Sequence, residues 1–179
     1  RPSNVNDAAA LAAKSADAKL LAGGQSLVQA MKLRLAAPTD IVDLGMVKDL
    51  AGIKSDGKTV TIGAMVRHAE VEGSADVKKA IPALAALAGM IGDRQVRNMG
   101  TLGGSLANSD PAADYPAAVL GLGATITTTK GTHAADKFFK GLYETALKPG
   151  EIITSVSFPV PRRAAYMKFK NQASRFAIV

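Results

Sequence analysis

The 179-residue chain contains no cysteine, and this absence excludes several kinds of site. Without a thiol the chain can form no disulfide and has no thiolate nucleophile. Iron–sulfur clusters are held mainly by cysteine thiolates, so any cluster that works with this protein must lie on another chain. The two histidines, His68 and His133, are far apart in the sequence, which argues against a zinc site or a Ser-His-Asp triad. We expect both to be surface residues or to lie behind a site.

Long hydrophobic runs are also missing. No apolar stretch approaches the roughly 18 residues that a membrane-spanning helix requires, and no signal peptide opens the chain. These absences predict a cytoplasmic protein. With 47% hydrophobic and 21% charged residues, the composition is that of an ordinary globular domain with enough apolar material for a core. The chain starts at Arg1 without an initiator methionine, so we expect its natural N-terminus to lie upstream.

Aromatic residues make up only 4% of the chain, and tryptophan is missing. The net charge of +7 suits an anionic partner, yet lysine and arginine are scattered and form no long run. Proteins that bind single-stranded nucleic acid combine a basic groove with aromatic stacking platforms. We therefore expect the positive charge to serve an anionic partner subunit or a pyrophosphate group, and not a nucleic acid.

Glycine is concentrated in two stretches that also carry hydroxyl residues. Residues 20–27 read Leu-Leu-Ala-Gly-Gly-Gln-Ser-Leu and predict a strand, a turn and the start of a helix. Residues 98–116 contain three glycines, Gly100, Gly103 and Gly104, beside the hydroxyl residues Thr101 and Ser105. Such a run should be neither an ordinary helix nor an ordinary strand. Its backbone N–H groups should point into open space.

Backbone N–H groups in turns of this kind can cradle a phosphate. Two such turns would suit a ligand with two phosphates. Neither stretch matches the P-loop motif or the Gly-x-Gly-x-x-Gly dinucleotide motif. The alternative for the second stretch is a glycine-rich turn that only connects two packed elements.

The remaining pattern predicts helices mixed with strands. Residues 1–52 should form a small α/β lobe, with a helix over 3–13 and strands at 19–22 and 40–44. The Asp56-Gly57 pair predicts a hairpin, and Pro82 suits the first turn of a helix. Further helices are expected at 66–71 and 111–120, and further strands at 124–129, 151–159, 166–170 and 175–179. The polar run at 93–97 reads as a solvated loop.

Three segments, taken in this order and spacing, are specific for one protein family. The first is Ala22-Gly23-Gly24-Gln25-Ser26-Leu27 with Lys32-Leu33-Arg34 after it. The second joins Gln95-Val96-Arg97-Asn98, Thr101-Leu102-Gly103-Gly104-Ser105 and Asp110-Pro111-Ala112-Ala113-Asp114. The third is Phe169-Lys170-Asn171-Gln172-Ala173-Ser174-Arg175. Together they resemble the FAD-binding medium subunits of the molybdenum hydroxylases, which include carbon monoxide dehydrogenase-like and xanthine dehydrogenase-like enzymes.

The resemblance implies an α+β fold, the two-lobed FAD-binding domain of the PCMH type. The small α/β lobe would cover residues 1–52. A larger lobe with a mixed or antiparallel sheet and helices would cover residues 53–179. Family members continue into a C-terminal α/β domain, which we expect to be absent from this chain.

The resemblance also implies which residues contact FAD. They are Leu20, Leu21, Ala22, Gly23, Gly24, Gln25, Ser26, Leu27, Ile91, Thr101, Leu102, Gly103, Gly104, Ser105, Asp114, Ile153 and Lys170. Asp114 would accept hydrogen bonds from ribose or ribityl hydroxyls, whereas Asp110 is explained by helix capping alone. Lys168 is an alternative to Lys170. Gln25 departs from the His that carbon monoxide dehydrogenase-like relatives often carry. No His or Cys lies in the flavin motifs, so we expect non-covalent FAD.

No residue stands out as a catalytic acid, base or nucleophile, and no metal ligands are expected, which favours a chain that holds a cofactor. The resemblance implies that FAD takes electrons from [2Fe–2S] clusters on a small subunit, fed by a molybdopterin large subunit. An external acceptor then receives them. The complex would be a dimer of heterotrimers. Two alternatives stay open: a self-sufficient flavin oxidase or reductase, and a non-enzymatic nucleotide-binding module.

Overall fold

The computed structural model describes the whole chain, from Arg1 to Val179. The helices are α1 (Val5–Ala12), α2 (Leu27–Lys32), α3 (His68–Gly73), α4 (Ala75–Ala80), α5 (Pro82–Met90), α6 (Arg94–Met99), α7 (Leu102–Asn108), α8 (Asp114–Gly121) and α9 (Ala135–Phe138). The strands are β1 (Lys19–Leu21), β2 (Ile41–Asp43), β3 (Ile53–Ser55), β4 (Thr59–Gly63), β5 (Thr125–Thr128), β6 (Gly131–Ala134), β7 (Phe139–Gly141), β8 (Glu144–Thr145) and β9 (Ile153–Pro159). None of the helices has the length and apolar character that crossing a bilayer requires. The α+β class is confirmed.

The N-terminal part of the chain forms a small α/β unit around its own core. Helix α1 begins after Asn4, whose side-chain oxygen accepts the N–H of Asp7 at 2.9 Å and caps the helix. β1 and β2 pair in parallel, which confirms the two short strands that the sequence predicts. Six buried residues make up the core of this unit: Ala8, Val42, Leu44, Val47, Leu50 and Ile152.

The rest of the chain is organised around a five-stranded sheet with the order β3-β4-β9-β5-β6 and antiparallel pairing throughout. The central strand, β9, has an alternating sequence that buries Val156 and Phe158 on one face. The predicted hairpin joins β3 to β4. In its turn the Asp56 carboxylate accepts two backbone N–H groups, at 2.8 and 2.7 Å, and Gly57 adopts a φ of +84°.

Helices pack against this sheet and enclose the main core. Twenty-two buried residues form it, and its largest side chains are Tyr115, Phe138 and Phe158. Helix α5 starts at Pro82, as the sequence predicts, and it buries Leu84 against the core. Each large apolar side chain that is fully buried here contributes about 1.5–3 kcal/mol of transfer free energy, so this core is the main source of stability.

The two cores meet at the start of β9. Ile152 packs with the small core, and the next residue, Ile153, packs with the main core. The chain thus returns to the N-terminal unit long after leaving it. Because Ile152 completes the small core from beyond residue 53, the lobe boundary between residues 52 and 53 stays a prediction.

Two polar segments differ from their sequence-based predictions. Residues 93–97 are not a solvated loop but open helix α6, because the Asp93 carboxylate caps the helix by accepting a backbone N–H at 2.9 Å. Helix α8 begins at Asp114 instead of Pro111. The reason is that the Asp110 carboxylate accepts a nearby backbone N–H at 2.9 Å and holds a turn in place of the helix start.

The last part of the chain contains no strand after β9. The strands predicted at 166–170 and 175–179 are wrong: the two segments share an isolated bridge of Lys170 and Ala177 and a few backbone hydrogen bonds, such as that from the N–H of Phe169 to the carbonyl of Val179 at 2.7 Å, but form no strand. The Asn171 side chain accepts the N–H groups of two following residues, at 2.9 and 3.0 Å, and turns the chain after one bridge.

Candidate functional site

One large cavity of about 840 Å³ opens between the N-terminal unit and the main core. This volume lies within the range of small-molecule and cofactor sites. Fourteen of the seventeen residues that the sequence nominates as ligand contacts line it, namely Leu20, Ala22, Gly23, Gly24, Gln25, Ser26, Leu27, Ile91, Thr101, Gly103, Gly104, Ser105, Asp114 and Ile153. The fold therefore brings together the two glycine stretches, although they are far apart in the sequence.

Three of the nominated residues do not line this cavity: Leu21, Leu102 and Lys170. Leu102 is fully buried in the main core, and its N–H donates to the carbonyl of Val66 at 3.0 Å. Lys170 is exposed and lies in the bridge to Ala177. For Leu102 the reason is its position on the core side of α7, which the glycine pattern does not reveal.

The first glycine stretch offers backbone donors to the cavity. It runs from the end of β1 to the start of α2, and four consecutive N–H groups make no hydrogen bond within the protein: those of Gly23, Gly24, Gln25 and Ser26. Free N–H groups in a row can hold an anion such as a phosphate oxygen. Gly24 has a φ of +76°, a conformation in which a larger residue is strained.

Gly23 serves close packing between the two glycine stretches. A Cβ atom at this position would collide with the backbone of Met99 and Gly100. Glycine here therefore lets the first stretch rest directly on the residues that precede α7. The space beside Gly23 is thus filled by a second backbone.

The second glycine stretch is helical, so the prediction that it is neither helix nor strand is wrong. Thr101 caps α7 by accepting the N–H of Gly104 at 3.2 Å, and the glycines lie in the first turn. The N–H of Gly103 donates to the carbonyl of Ala64 at 2.8 Å. A Cβ atom on Gly103 would lie 2.6 Å from the Ala64 side chain, so glycine is needed for packing. These N–H groups do not point into open space.

The hydroxyl groups of the second stretch remain available to a ligand. Thr101 and Ser105 both line the cavity. The Thr101 oxygen accepts the capping bond, which leaves its hydrogen free to donate. Ser105 keeps both functions of its hydroxyl. The second stretch thus offers side-chain groups to the cavity, while the first offers its backbone.

Asp114 lies in the cavity wall with two close partners. Its carboxylate accepts the Tyr166 hydroxyl at 2.7 Å and the ammonium of Lys168 at 2.9 Å. Lys168 also donates to the carbonyl of Met90, at 3.1 Å, and so ties α5 to the chain after β9. Burial, followed by the hydrogen bond to Asp114, raises the pKa of Tyr166 well above its ordinary value. Of the two lysines considered from sequence, Lys168 therefore contacts a residue of the cavity wall, although neither lysine lines the cavity itself.

The sequence predicts that His68 is a surface residue or lies behind a site. The structure instead buries it and places it in the cavity wall. Burial, with the nearby charge of Arg97, lowers the pKa of its ring to about 4, so the ring is neutral at pH 7. The ring centroid of Tyr115 lies 5.3 Å away. The Nδ1 atom of His68 and the Tyr115 hydroxyl are both enclosed without a hydrogen-bond partner.

A second carboxylate in the wall, Glu151, is held by a network of donors. It accepts the hydroxyl of Thr128, the N–H of Lys148 at 2.9 Å and the ring of His133 at 3.1 Å. Burial opposes its ionisation, but these hydrogen bonds outweigh burial and lower the pKa of the carboxyl to about 2. Glu151 therefore stays ionised and fixes the chain directly before β9.

Several lining residues were not nominated from sequence. They include His68, Asn108, Tyr143, Leu147, Arg175 and Phe176. His68 lies on the first turn of α3, and nothing in the local pattern distinguishes it from a core residue. Residues 173–176 line the cavity as well, and the third family segment was the one signal that pointed to this part of the chain.

The arrangement fits a phosphate-bearing cofactor with a flat apolar part. Free backbone N–H groups and hydroxyls lie on one set of walls, and Leu20, Ile91 and Ile153 supply apolar surface. No group of three or more His, Cys, Asp or Glu side chains is placed to hold a metal ion. These walls suit an organic cofactor that itself supplies the chemistry.

Comparison with known proteins agrees with this geometry. Residues 1–161 match the family described as the FAD binding domain in molybdopterin dehydrogenase. The chain is 41% identical to the carbon monoxide dehydrogenase medium chain of Afipia carboxidovorans, covering 99% of this chain and 64% of that protein. It is 38% identical to the nicotine 6-hydroxylase medium subunit of Paenarthrobacter nicotinovorans, over 99% of this chain and 64% of that one.

Solved structures show the same relationship. Carbon monoxide dehydrogenase from Oligotropha carboxidovorans superposes with a TM-score of 0.94 at 40% identity, over 99% of this chain and 65% of that one. Quinoline 2-oxidoreductase from Pseudomonas putida 86 gives a TM-score of 0.93 at 33% identity, over 99% and 64%. The chain spans about 64% of the length of the curated relatives that it matches. It belongs to the family of FAD-binding domains of molybdopterin dehydrogenases.

Proposed function

We propose that the chain is the FAD-binding part of the medium subunit of a molybdenum hydroxylase, and that it holds FAD non-covalently in the cavity. The family match over residues 1–161 supports FAD as the ligand. The observation that carries the proposal is the meeting of fourteen nominated ligand residues in one cavity. Bound FAD supplies the capacity to accept electrons from one redox partner and deliver them to another.

Different residues of the cavity contact different parts of FAD. The free N–H groups at 23–26, together with the hydroxyls of Thr101 and Ser105, hold the pyrophosphate. Ile91 and Ile153 cover apolar ring surface and exclude water. The remaining residues of the first stretch shape the wall around these groups.

Asp114 accepts a hydroxyl of the ribityl or ribose chain. Its carboxylate already accepts from Lys168 and Tyr166, but two carboxylate oxygens offer about four acceptor sites, so capacity remains. Lys168 takes the role that the family resemblance assigned to Lys170. Its ammonium pairs with the Asp114 carboxylate at 2.9 Å and offsets its charge in the wall.

The partners follow from what the chain lacks and from its relatives. The matched relatives include a medium chain and a medium subunit, which implies further subunits in those enzymes. We propose a molybdopterin large subunit and an iron–sulfur small subunit, in a dimer of heterotrimers, with an external electron acceptor. The chain has no cysteine to bind a cluster, so the [2Fe–2S] centres belong to a partner.

An absorption spectrum of the purified chain tests the cofactor directly. The two visible bands of oxidised flavin should be present, or should appear after added FAD and removal of the excess. A colourless protein that takes up no FAD would overturn the proposal. Replacing Gly24 with Val, at a φ of +76°, should abolish uptake, whereas Gly57→Ala at the remote hairpin should not.

Release of the flavin tests the non-covalent mode. Heat or acid denaturation should leave all flavin in the supernatant, identified as FAD by its mass. His68 is the histidine that lines the cavity, so a covalent bond to flavin would be sought there. Flavin that remained on a peptide containing His68 would contradict the proposal.

Co-purification separates the proposed subunit from a self-sufficient flavin enzyme. The full-length protein, tagged in its native host, should bring down one molybdenum-containing and one iron–sulfur chain. Turnover of a substrate by the flavin chain alone would favour a self-sufficient oxidase or reductase. A protein that binds neither FAD nor these chains would be a nucleotide-binding module of another kind.

A further inference from the structure

The turn between β7 and β8 places an aromatic ring at the edge of the cavity. The two strands pair as a short antiparallel hairpin, with Leu142 and Tyr143 at its tip. Both tip side chains are exposed, at 70% and 61%. Tyr143 lines the cavity together with the nearby Leu147, whereas Leu142 does not. Of the two tip residues, the hairpin therefore brings only Tyr143 to the wall of the ligand space.

The backbone of Tyr143 is in an unfavourable conformation for its type. Its φ is +57°, in the left-handed region that glycine and asparagine adopt readily and bulky residues rarely do. Turn geometry would thus favour glycine at this position. Residues that keep such a conformation are found disproportionately at binding sites, where the surrounding structure holds them in place.

A buried serine holds the hairpin tip in this conformation. The N–H of Tyr143 donates to the carbonyl of Ser109 at 3.1 Å. The Ser109 hydroxyl lies 3.1 Å from the carbonyl of Glu144 and 3.3 Å from that of Gly141, and so reaches both strands. Ser109 is 4% exposed and ends α7, the helix that starts at the second glycine stretch. Helix α7 therefore runs from Thr101, in the cavity wall, to Ser109, which holds the Tyr143 turn.

Packing within the protein does not account for the tyrosine. A ring that is 61% exposed gains little from burial, and its backbone conformation opposes a large side chain. The hydroxyl of Tyr143 makes no hydrogen bond to the protein, so no polar contact explains it either. A molecule that enters the cavity would give the ring a surface to contact, because Tyr143 lines that cavity.

We propose that Tyr143 stacks on a planar ring of the bound FAD and covers it against solvent. This inference rests on the proposed function, because the ligand is the one proposed there. Aromatic residues stack on flat ring systems through offset or edge contacts. Stacking of an aromatic side chain on a nucleobase contributes about 1–3 kcal/mol to binding. The positive φ of Tyr143 sets the orientation of the ring, and the hydrogen bonds of Ser109 to the turn hold that orientation.

The decisive experiment measures apoprotein stability and FAD affinity in the same set of variants. Tyr143→Gly removes the ring and relieves the positive φ. We expect its urea midpoint to rise and its FAD affinity to fall about tenfold, as expected for the loss of one stacking contact. Tyr143→Phe keeps the ring and should bind FAD nearly as the original chain does. Leu142→Gly, the matched control at the same tip, should leave FAD affinity unchanged.

Stability and affinity moving in opposite directions is the signature of a ligand-directed ring. If Tyr143→Gly bound FAD as tightly as the original chain, the inference would be overturned while the proposed function stood. An equal loss of affinity in Leu142→Gly would also overturn it, because the hairpin as a whole would then be responsible. If the original chain took up no FAD, the proposed function itself would fail, so the two failures are distinguishable.

Fragments of the cofactor identify which ring Tyr143 covers. Tyr143→Gly should weaken FMN binding if the ring covers the isoalloxazine, or ADP binding if it covers the adenine. Either selective loss supports stacking. Unchanged affinity for both fragments would exclude stacking on either ring.

Discussion

The ammonium of Lys168 lies 2.9 Å from the carboxylate of Asp114, and both side chains are almost completely enclosed, at 2% and 5% exposure. A buried pair of this kind is costly to break, because the partner that remains is a buried charge without compensation. Tyr166 shares the same carboxylate at 2.7 Å. The pair thus connects the start of α8 to the segment after β9, and it lies in the wall of the proposed flavin site.

Lys168→Met should destabilise the protein by about 3–5 kcal/mol, because it leaves Asp114 charged and unpaired inside the wall. Lys170→Met is the matched control, since Lys170 is exposed and forms no ion pair, and it should change the free energy of unfolding by less than about 0.5 kcal/mol. Urea unfolding followed by circular dichroism measures both. Equal effects of the two substitutions would contradict the assignment of Lys168 as the buried partner.

Gly23→Ala should separate the two glycine stretches. The added methyl group would meet the backbone of Met99, which cannot move as a side chain can, so we expect a loss of roughly 3 kcal/mol in the free energy of unfolding. FAD uptake should fall as well. Gly73→Ala is the control, because nothing lies near a Cβ at Gly73, and it should stabilise by about 0.5 kcal/mol. A harmless Gly23→Ala would show that the stretches do not touch as described.

Glu151 should make stability depend on pH under acidic conditions. Its folded pKa of about 2 lies below the ordinary value of 4.5, so the ionised carboxylate stabilises the fold above the unfolded pKa. That stability is lost as the pH falls from about 5 towards 2. At one pKa unit per about 1.4 kcal/mol, the full contribution is roughly 3 kcal/mol.

Glu151→Gln should therefore be less stable than the original chain at neutral pH, and the difference should shrink as the pH falls. Urea titrations at several pH values between about 7 and 2 measure this convergence. Glu144→Gln, at an exposed position of the β7–β8 hairpin, is the control and should track the original chain. A gap between Glu151→Gln and the original chain that stayed constant with pH would rule out the proposed ionisation.

Tyr115→Phe should leave stability unchanged or raise it by about 1–2 kcal/mol. The Tyr115 hydroxyl is enclosed without a partner, and removing an unsatisfied polar group removes its desolvation cost. Tyr166→Phe makes the same chemical change at a hydroxyl that bonds to Asp114, so it should destabilise by about 1 kcal/mol. Thermal unfolding compares the two. Destabilisation by Tyr115→Phe would mean that its hydroxyl has a partner, such as a water bridging to His68.

Elements with strong local signals were predictable from sequence. Two examples are the Asp56-Gly57 turn and the first turn of α5 at Pro82. Each depends on residues within a few positions of one another, so the local sequence predicts it. The polar run from Asp93 carries a local signal as well, because Asp93 caps α6, but its polarity is equally typical of a solvated loop.

The glycine stretches show where local reasoning ends. From sequence, the glycines of both stretches were expected to expose backbone N–H groups. That holds at 23–26, where these groups are free, but not at Gly103, whose N–H is bonded to Ala64. Whether an N–H group is free depends on which strand or loop packs beside it, and that neighbour is distant in the chain.

The sequence by itself determined the α+β character, the order of most elements and fourteen of the residues that meet in the cavity. Those properties follow from periodicity, capping and turn chemistry, and from motifs whose spacing is shared with a family. Only the tertiary structure decided that Met99 fills the space beside Gly23, that Lys168 and not Lys170 pairs with Asp114, and that Tyr143 reaches the cavity. These contacts join residues far apart in the chain, and packing selects them from many alternatives that the local pattern allows equally.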